Sequence, residues 1–201
     1  MPEIRFSGYG GQGIIRSGFI VGKACSLYDE KHATLNQAFG PEARGSACSA
    51  QVVVSDDRVL YPYITIPDIL VSMSQEAYDK FEPELQKKGL LLIDEDLVRP
   101  KPIRDKITMY AIPATRMAEE MGNRIFANLV MLGFFTAMSD VVSADAMRKA
   151  IPGSVPDRFL DKNLEAFNKG YDFGMALKGA KKEPSPQKKA QAEPKAKAKK
   201  A

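Results

Sequence analysis

Cysteine and histidine are scarce in this chain. Among its 201 residues there are two cysteines, Cys25 and Cys48, and one histidine, His32. Iron–sulfur clusters and structural zinc usually take four protein ligands, so these residues alone build neither. The two cysteines do not suggest a secreted disulfide scaffold, although sequence leaves a bridge between them open. Long apolar runs are also missing. A bilayer span needs roughly 18 apolar residues, and the longest stretch, Ile125 to Met138, is interrupted by Asn128, Gly133 and Thr136. The amino-terminal MPEIRFSG has no basic segment leading into an apolar one, as a secretory signal would. The expectation is a cytoplasmic protein with reduced thiols and no membrane span.

The net charge of +4 is unevenly distributed. Lys181 to Ala201 holds eight Lys and two Glu, which leaves residues 1–180 at about −2. A mildly acidic body argues against a nucleic-acid binder. The stretch 179–201 is Lys, Ala, Pro and Gln without apolar anchors and is expected to be a disordered tail. Residues 1–178, in a chain that is 44% hydrophobic, suffice for one domain with a proper core.

The patterning alternates strand and helix. Glu3 to Ser7 predicts a strand, and Ile14 to Tyr28 a helix with Ile14, Ile15, Gly18, Phe19, Gly22 and Cys25 along one stripe. Strands are expected near His32 to Asn36, Ser49 to Ser55, Ile69 to Met73, Leu90 to Ile93 and Ile107 to Ala111. Arg58 to Leu60 is a possible partner of Ser49 to Ser55. Gln75 to Lys88 predicts an amphipathic helix capped by Gly89, and Pro113 is suited to opening the next one. Further helices are predicted at Arg124 to Ser139, Ala144 to Ala150 and Asp157 to Leu177. This order predicts an α/β domain, Rossmann-like, with a mostly parallel sheet and helices on both faces.

Between the first strand and the first helix lies GYGGQG. Gly8, Gly10 and Gly13 satisfy G-x-G-x-x-G, with Gly11 and Gln12 in the intervals. Such a turn lets backbone approach a ligand closely and aims amides of the next helix at an anion. The same glycines would also make a compact turn with no ligand. A dinucleotide site wants an acid closing the second strand. Ala33 to Phe39 has none, and Asp29 and Glu30 precede it. A self-sufficient nicotinamide dehydrogenase is therefore disfavoured, and without GK[ST] there is no P-loop. The lone His32, both cysteines, and Met117, Met121, Met131 and Met138 read as structural.

Asn36 to Ser46 crowds an acid, an arginine, glycines and a proline between two apolar strands, as loops serving a site or an interface do. Its core is Gly40, Pro41, Glu42, Ala43, Arg44 and Gly45. GYGGQG, then FGPEARGS at Phe39 to Ser46, then VVVSD at Val52 to Asp56, resembles the gamma subunit of 2-oxoacid:ferredoxin oxidoreductases. IPDILVSMSQEAY, LLIDEDLV, NRIFANLVMLG and NLEAFNKGYD follow in family order, so the resemblance covers residues 3 to 177. GPEARG is closer to the 2-oxoglutarate and branched-chain enzymes, whereas pyruvate enzymes more often have a second basic residue in place of Ala43. Ser46 departs from the usual glycine, and the Lys-rich tail is outside the pattern.

The resemblance implies a complex that decarboxylates a 2-oxoacid on thiamine diphosphate with Mg2+. It would pass single electrons through iron–sulfur clusters to ferredoxin and transfer the acyl group to coenzyme A. This chain would be an accessory subunit that binds none of these alone and holds no catalytic residue. Alpha, beta and ferredoxin-like delta subunits would be its partners. Gly8, Gly10, Gly11, Gln12 and Gly13, with Gly40, Pro41, Glu42, Arg44 and Gly45, are the expected site, facing coenzyme A, the substrate entrance or a partner subunit. 2-Oxoglutarate is the expected substrate, with the 2-oxoisovalerate and pyruvate enzymes and a stand-alone nucleotide-binding module as alternatives.

Overall fold

A computed structural model describes residues 1–39, 47–102 and 106–182. The elements run β1 (Glu3–Tyr9), α1 (Ile14–Tyr28), β2 (His32–Ala38), β3 (Ala47–Ser55), β4 (Ile69–Ser72), α2 (Gln75–Phe81), β5 (Leu90–Asp94), β6 (Thr108–Ile112), α3 (Ala114–Glu120), α4 (Ala127–Met138), α5 (Ala144–Ala150) and α6 (Leu160–Lys182). One six-stranded sheet has the order β2-β3-β1-β4-β5-β6. β1, β4, β5 and β6 are mutually parallel, and β3 runs antiparallel to both β1 and β2. The expected α/β domain is present, with an antiparallel pair on one flank.

Period-2 alternation explains the layers. Ile4 and Phe6 of β1, Ala50, Val52 and Val54 of β3, and Val71 of β4 share one face with the buried stripe of α1 and with α3 to α6. Leu70, Leu91 and Ile93 point the other way, onto Ala77, Tyr78 and Phe81 of α2. Every residue of α4 is buried, as a helix apolar on all sides requires. Met121, Met131 and Met138 are buried in the same core.

Two local expectations change. Arg58 to Leu60 forms no strand, because β3 is already paired along both edges, by β1 and β2. The helix predicted to reach Lys88 ends at Phe81 and continues as a single 3-10 turn, Glu82–Glu84. Pro83 lacks the amide that an α-helix would need there. The left-handed residue is Lys88, with φ 79°, and not Gly89. The closing helix, predicted over Asp157 to Leu177, is α6 from Leu160 to Lys182.

Candidate functional site

The strand order reverses at β1. The chain leaves β1 for β2 and β3 on one side and returns to β4, β5 and β6 on the other. In open α/β sheets ligands gather outside the carboxyl ends of the strands at such a point. The GYGGQG turn lies there, joining β1 to α1. Gly11 and Gly13 have φ of 98° and 76°, a region that costs other residues strain. Gly13 also caps α1, and a Cβ there would sit 2.6 Å from Asn128 Nδ2.

A hollow opens on each side of the turn. The first, of about 560 Å³, lies over the carboxyl ends of β1 and β4 between Tyr9–Gln12 and Met73–Gln75, with Leu97, Thr115 and Arg124 on its far wall. The second, of about 610 Å³, lies along the start of α1 against Gln37, Phe39, Cys48 and Asn128. Ile125 borders both and is exposed. Gly8 is buried differently from its neighbours in the motif. A Cβ on it would meet Gln12 Oε1 at 2.5 Å. The Gln12 carboxamide accepts from the Tyr9 N–H at 2.6 Å and donates to the Met73 carbonyl at 2.8 Å.

Among the described residues, α1 has no side-chain cap and no acid in its first turn. Its positive end therefore faces the second hollow uncompensated. Asn128, which interrupts the apolar run of α4, is buried against Gly13 and reaches this hollow.

Asp94 is not among the residues that the sequence patterns single out. It is fully buried at the carboxyl end of β5. Its carboxylate accepts from the Thr115 N–H at 3.0 Å, the Thr115 hydroxyl at 2.6 Å and the Asp96 N–H at 3.1 Å. Burial raises its pKa above the ordinary carboxylate value, against the pull of the Thr115 hydrogen bond. Asp94 thereby fixes the start of α3, where Thr115 lines the first hollow. The signal in the sequence was an acid directly following an apolar strand.

Other candidates resolve as structural. Cys25 and Cys48 are free thiols, both buried. Burial pushes the Cys25 pKa up to about 11, so it is neither a thiolate nor a ready nucleophile. Asp29 accepts from the Ser143 N–H at 2.7 Å and from its hydroxyl at 2.6 Å, which ties it to the start of α5. His32 is exposed at the amino end of β2, paired across to Ser55 and so at the opposite end of the sheet from the turn. The expected residues Gly8, Gly10, Gly11, Gln12 and Gly13 share the walls of the two hollows or stand directly beneath them. Gly40, Pro41, Glu42, Arg44 and Gly45 lie outside the described residues.

Among the described residues no group of three or more His, Cys, Asp or Glu could hold a metal ion, and no helix is long and apolar enough to cross a membrane.

Comparison with known proteins gives a consistent assignment. 2-Oxoglutarate synthase subunit KorC of Methanocaldococcus jannaschii is 49% identical over 87% of this chain and 95% of its own length. Subunits of the ketoisovalerate and pyruvate enzymes of Methanothermobacter marburgensis are each 31% identical. The gamma subunit of a keto/oxoacid ferredoxin oxidoreductase from Geobacter sulfurreducens superposes with a TM-score of 0.78 at 40% identity, covering 88% of this chain and 99% of that one. 2-Oxoglutarate:ferredoxin oxidoreductase from Magnetococcus marinus, a structure with 2-oxoglutarate, coenzyme A and succinyl-CoA bound, gives 0.76 at 25% identity, over 89% of this chain but only 31% of that one. The family model described as pyruvate ferredoxin/flavodoxin oxidoreductase matches residues 3–173. The chain belongs to the pyruvate ferredoxin/flavodoxin oxidoreductase family.

Proposed function

We propose that this chain is the gamma subunit of a cytoplasmic 2-oxoglutarate:ferredoxin oxidoreductase, an accessory subunit of a complex that interconverts 2-oxoglutarate and succinyl-CoA. The observation that carries the reading is the 49% identity to KorC across nearly its whole length. The drop to 31% for the ketoisovalerate and pyruvate enzymes favours 2-oxoglutarate among the acids. Alpha, beta and ferredoxin-like delta subunits complete the assembly, with ferredoxin as the electron acceptor.

In such a complex thiamine diphosphate supplies the carbanion chemistry, and iron–sulfur clusters carry single electrons. The donor set here suits neither group, since two scattered buried cysteines give no cluster site and the described residues offer no acid group for magnesium. Both are assigned to the partner subunits. Coenzyme A fits this chain better. The uncapped amino end of α1 suits a phosphate, and the amides of the glycine turn can approach it without side chains in the way. In this reading coenzyme A rests on the turn formed by Gly8, Gly10, Gly11, Gln12 and Gly13. Gly40, Pro41, Glu42, Arg44 and Gly45 are the other residues proposed to take part, with Arg44 suited by its chemistry to a phosphate or carboxylate.

Exposed apolar side chains suit partner subunits. Leu60, Tyr61, Tyr63 and Ile66 lie in one segment and are each more than half exposed, more than a solitary monomer needs to display. The Magnetococcus chain, about two thirds of which lies outside the match, is consistent with further parts of the enzyme joined to this domain.

The test is anaerobic purification of the tagged chain from its host, followed by coenzyme A-dependent reduction of a viologen dye. 2-Oxoglutarate, pyruvate and 2-oxoisovalerate are compared in parallel. Activity with larger co-purifying subunits and a preference for 2-oxoglutarate is expected. A clean monomer without activity would reject the reading. In the same assay Arg44→Ala is expected to weaken coenzyme A use or assembly.

A further inference from the structure

The first glycine of the motif is small for an internal reason. A Cβ on Gly8 would meet Gln12 Oε1 at 2.5 Å and Ile14 Cδ1 at 2.8 Å, so Gly8 makes room for the Gln12 side chain rather than for a ligand. The space is used fully. The carboxamide oxygen of Gln12 accepts from the Tyr9 N–H at 2.6 Å, and its nitrogen donates a hydrogen bond to the Met73 carbonyl at 2.8 Å. Tyr9 belongs to the glycine turn and Met73 to the turn that leads from β4 into α2. These two turns are facing walls of the first hollow. The strands beneath are already tied, because the Met73 N–H donates to the Ser7 carbonyl at 2.9 Å and the Ser7 and Ser72 hydroxyls meet at 2.8 Å. Above that level Gln12 supplies the cross-link.

We infer that Gln12 is a positioning residue: its carboxamide clamps the glycine turn to the β4–α2 turn, sets the width of the hollow and holds the turn in its ligand-binding shape. Both polar ends of Gln12 are engaged within the chain, which gives its side chain a positioning role. The contacts come from the backbone it positions. This inference rests on the proposal that coenzyme A binds at the turn.

The experiment uses the complete complex with Gln12→Glu. Glutamate keeps an acceptor for the Tyr9 N–H but sets an oxygen against the Met73 carbonyl, so it opens the cross-link selectively. Gln12→Met, which keeps the length and neither bond, is the second variant. For each, KM for coenzyme A, KM for 2-oxoglutarate, kcat and subunit retention are measured. The expected result is a rise of about tenfold in KM for coenzyme A, the scale of one hydrogen bond lost. The other two constants should stay within about twofold. An unchanged KM for coenzyme A in both variants overturns the clamp, and so does loss of assembly in both, which would make Gln12 a residue that only holds the fold. Ile125→Trp, at the mouth shared by both hollows, separates the clamp from the reading beneath it. If Ile125→Trp raises KM for coenzyme A and the Gln12 variants do not, the site stands and the clamp falls. If Ile125→Trp leaves it unchanged, the site itself is wrong and the clamp falls with it.

Discussion

Two clusters of glycine in this domain work under opposite constraints. In the turn between β1 and α1, Gly11 and Gly13 adopt positive φ at the edge of open hollows, and a Cβ on Gly11 would find nothing within 4 Å among the described residues. Where α4 crosses α6, Gly133 and Gly170 have ordinary helical backbone but no space at all. A Cβ on Gly133 would collide with the Phe167 carbonyl and lie 2.7 Å from the Tyr171 nitrogen, and one on Gly170 would collide with the Val130 carbonyl. The first cluster is glycine for its dihedrals, the second for its missing atom. At Gly11 the turn has room for added bulk but not for ordinary dihedrals, whereas Gly13 is held by both constraints. The crossing has its dihedrals satisfied and no tolerance for bulk.

The crossing should fail first. Gly133→Ala or Gly170→Ala must push two helix backbones apart in a close-packed core, and each is expected to cost about 3 kcal/mol or more. Soluble yield and thermal unfolding of the complex report the loss. A cost below about 1 kcal/mol would mean that α6 slides freely over α4 and that the contrast with the turn is false.

Gly13→Ala combines both constraints. Positive φ costs about 1–2 kcal/mol, and the new methyl lies 2.6 Å from Asn128 Nδ2. The steric part should be recoverable. In a double-mutant cycle with Asn128→Ala a coupling of about 0.5–1 kcal/mol is expected, with the dihedral part left behind. A coupling of zero would place the whole effect in the backbone.

The contrast also marks how much was legible in the sequence. Strand alternation in β1, the stripe of α1 and the apolar run of α4 are local patterns, so these elements and the turn between the first two could be placed from residues alone. The partner of β3 could not, because pairing depends on which strand reaches its edge first, and β2 rather than Arg58 to Leu60 does so. The helix after Ser74 was drawn too long because amphipathic spacing was weighted above Pro83. At the site, spacing finds the motif glycines, but it does not show that Gly8 leaves room for the Gln12 side chain, because that fit depends on how the turn folds back on itself. Asp94 was passed over because its hydrogen bonds to Thr115 cross from β5 to α3. Gly133 and Gly170 gave no signal in a single sequence, since a glycine in a helix looks like a weak point until its neighbour is known.

Gly11→Ala isolates the dihedral constraint. With open space around the new methyl and φ at 98°, it should cost only strain, about 1 kcal/mol in unfolding experiments. A larger effect is expected on coenzyme A affinity, since the backbone at this point faces both hollows. A variant that loses stability and keeps its affinity would assign this glycine to folding alone.

Gly179 tests the comparison from the other side, because it meets neither constraint. It lies exposed near the end of α6, its φ is not positive, and a Cβ there would contact nothing within 4 Å among the described residues. Only the intrinsic penalty of glycine in a helix remains, so Gly179→Ala should stabilise, by about 0.5 kcal/mol near a helix end. Helix content by circular dichroism and a small rise in the unfolding midpoint check the sign. A loss of stability would place a neighbour against α6 at this position and would move Gly179 into the same class as Gly133 and Gly170. A gain shows that neither dihedral nor contact demands glycine at this position.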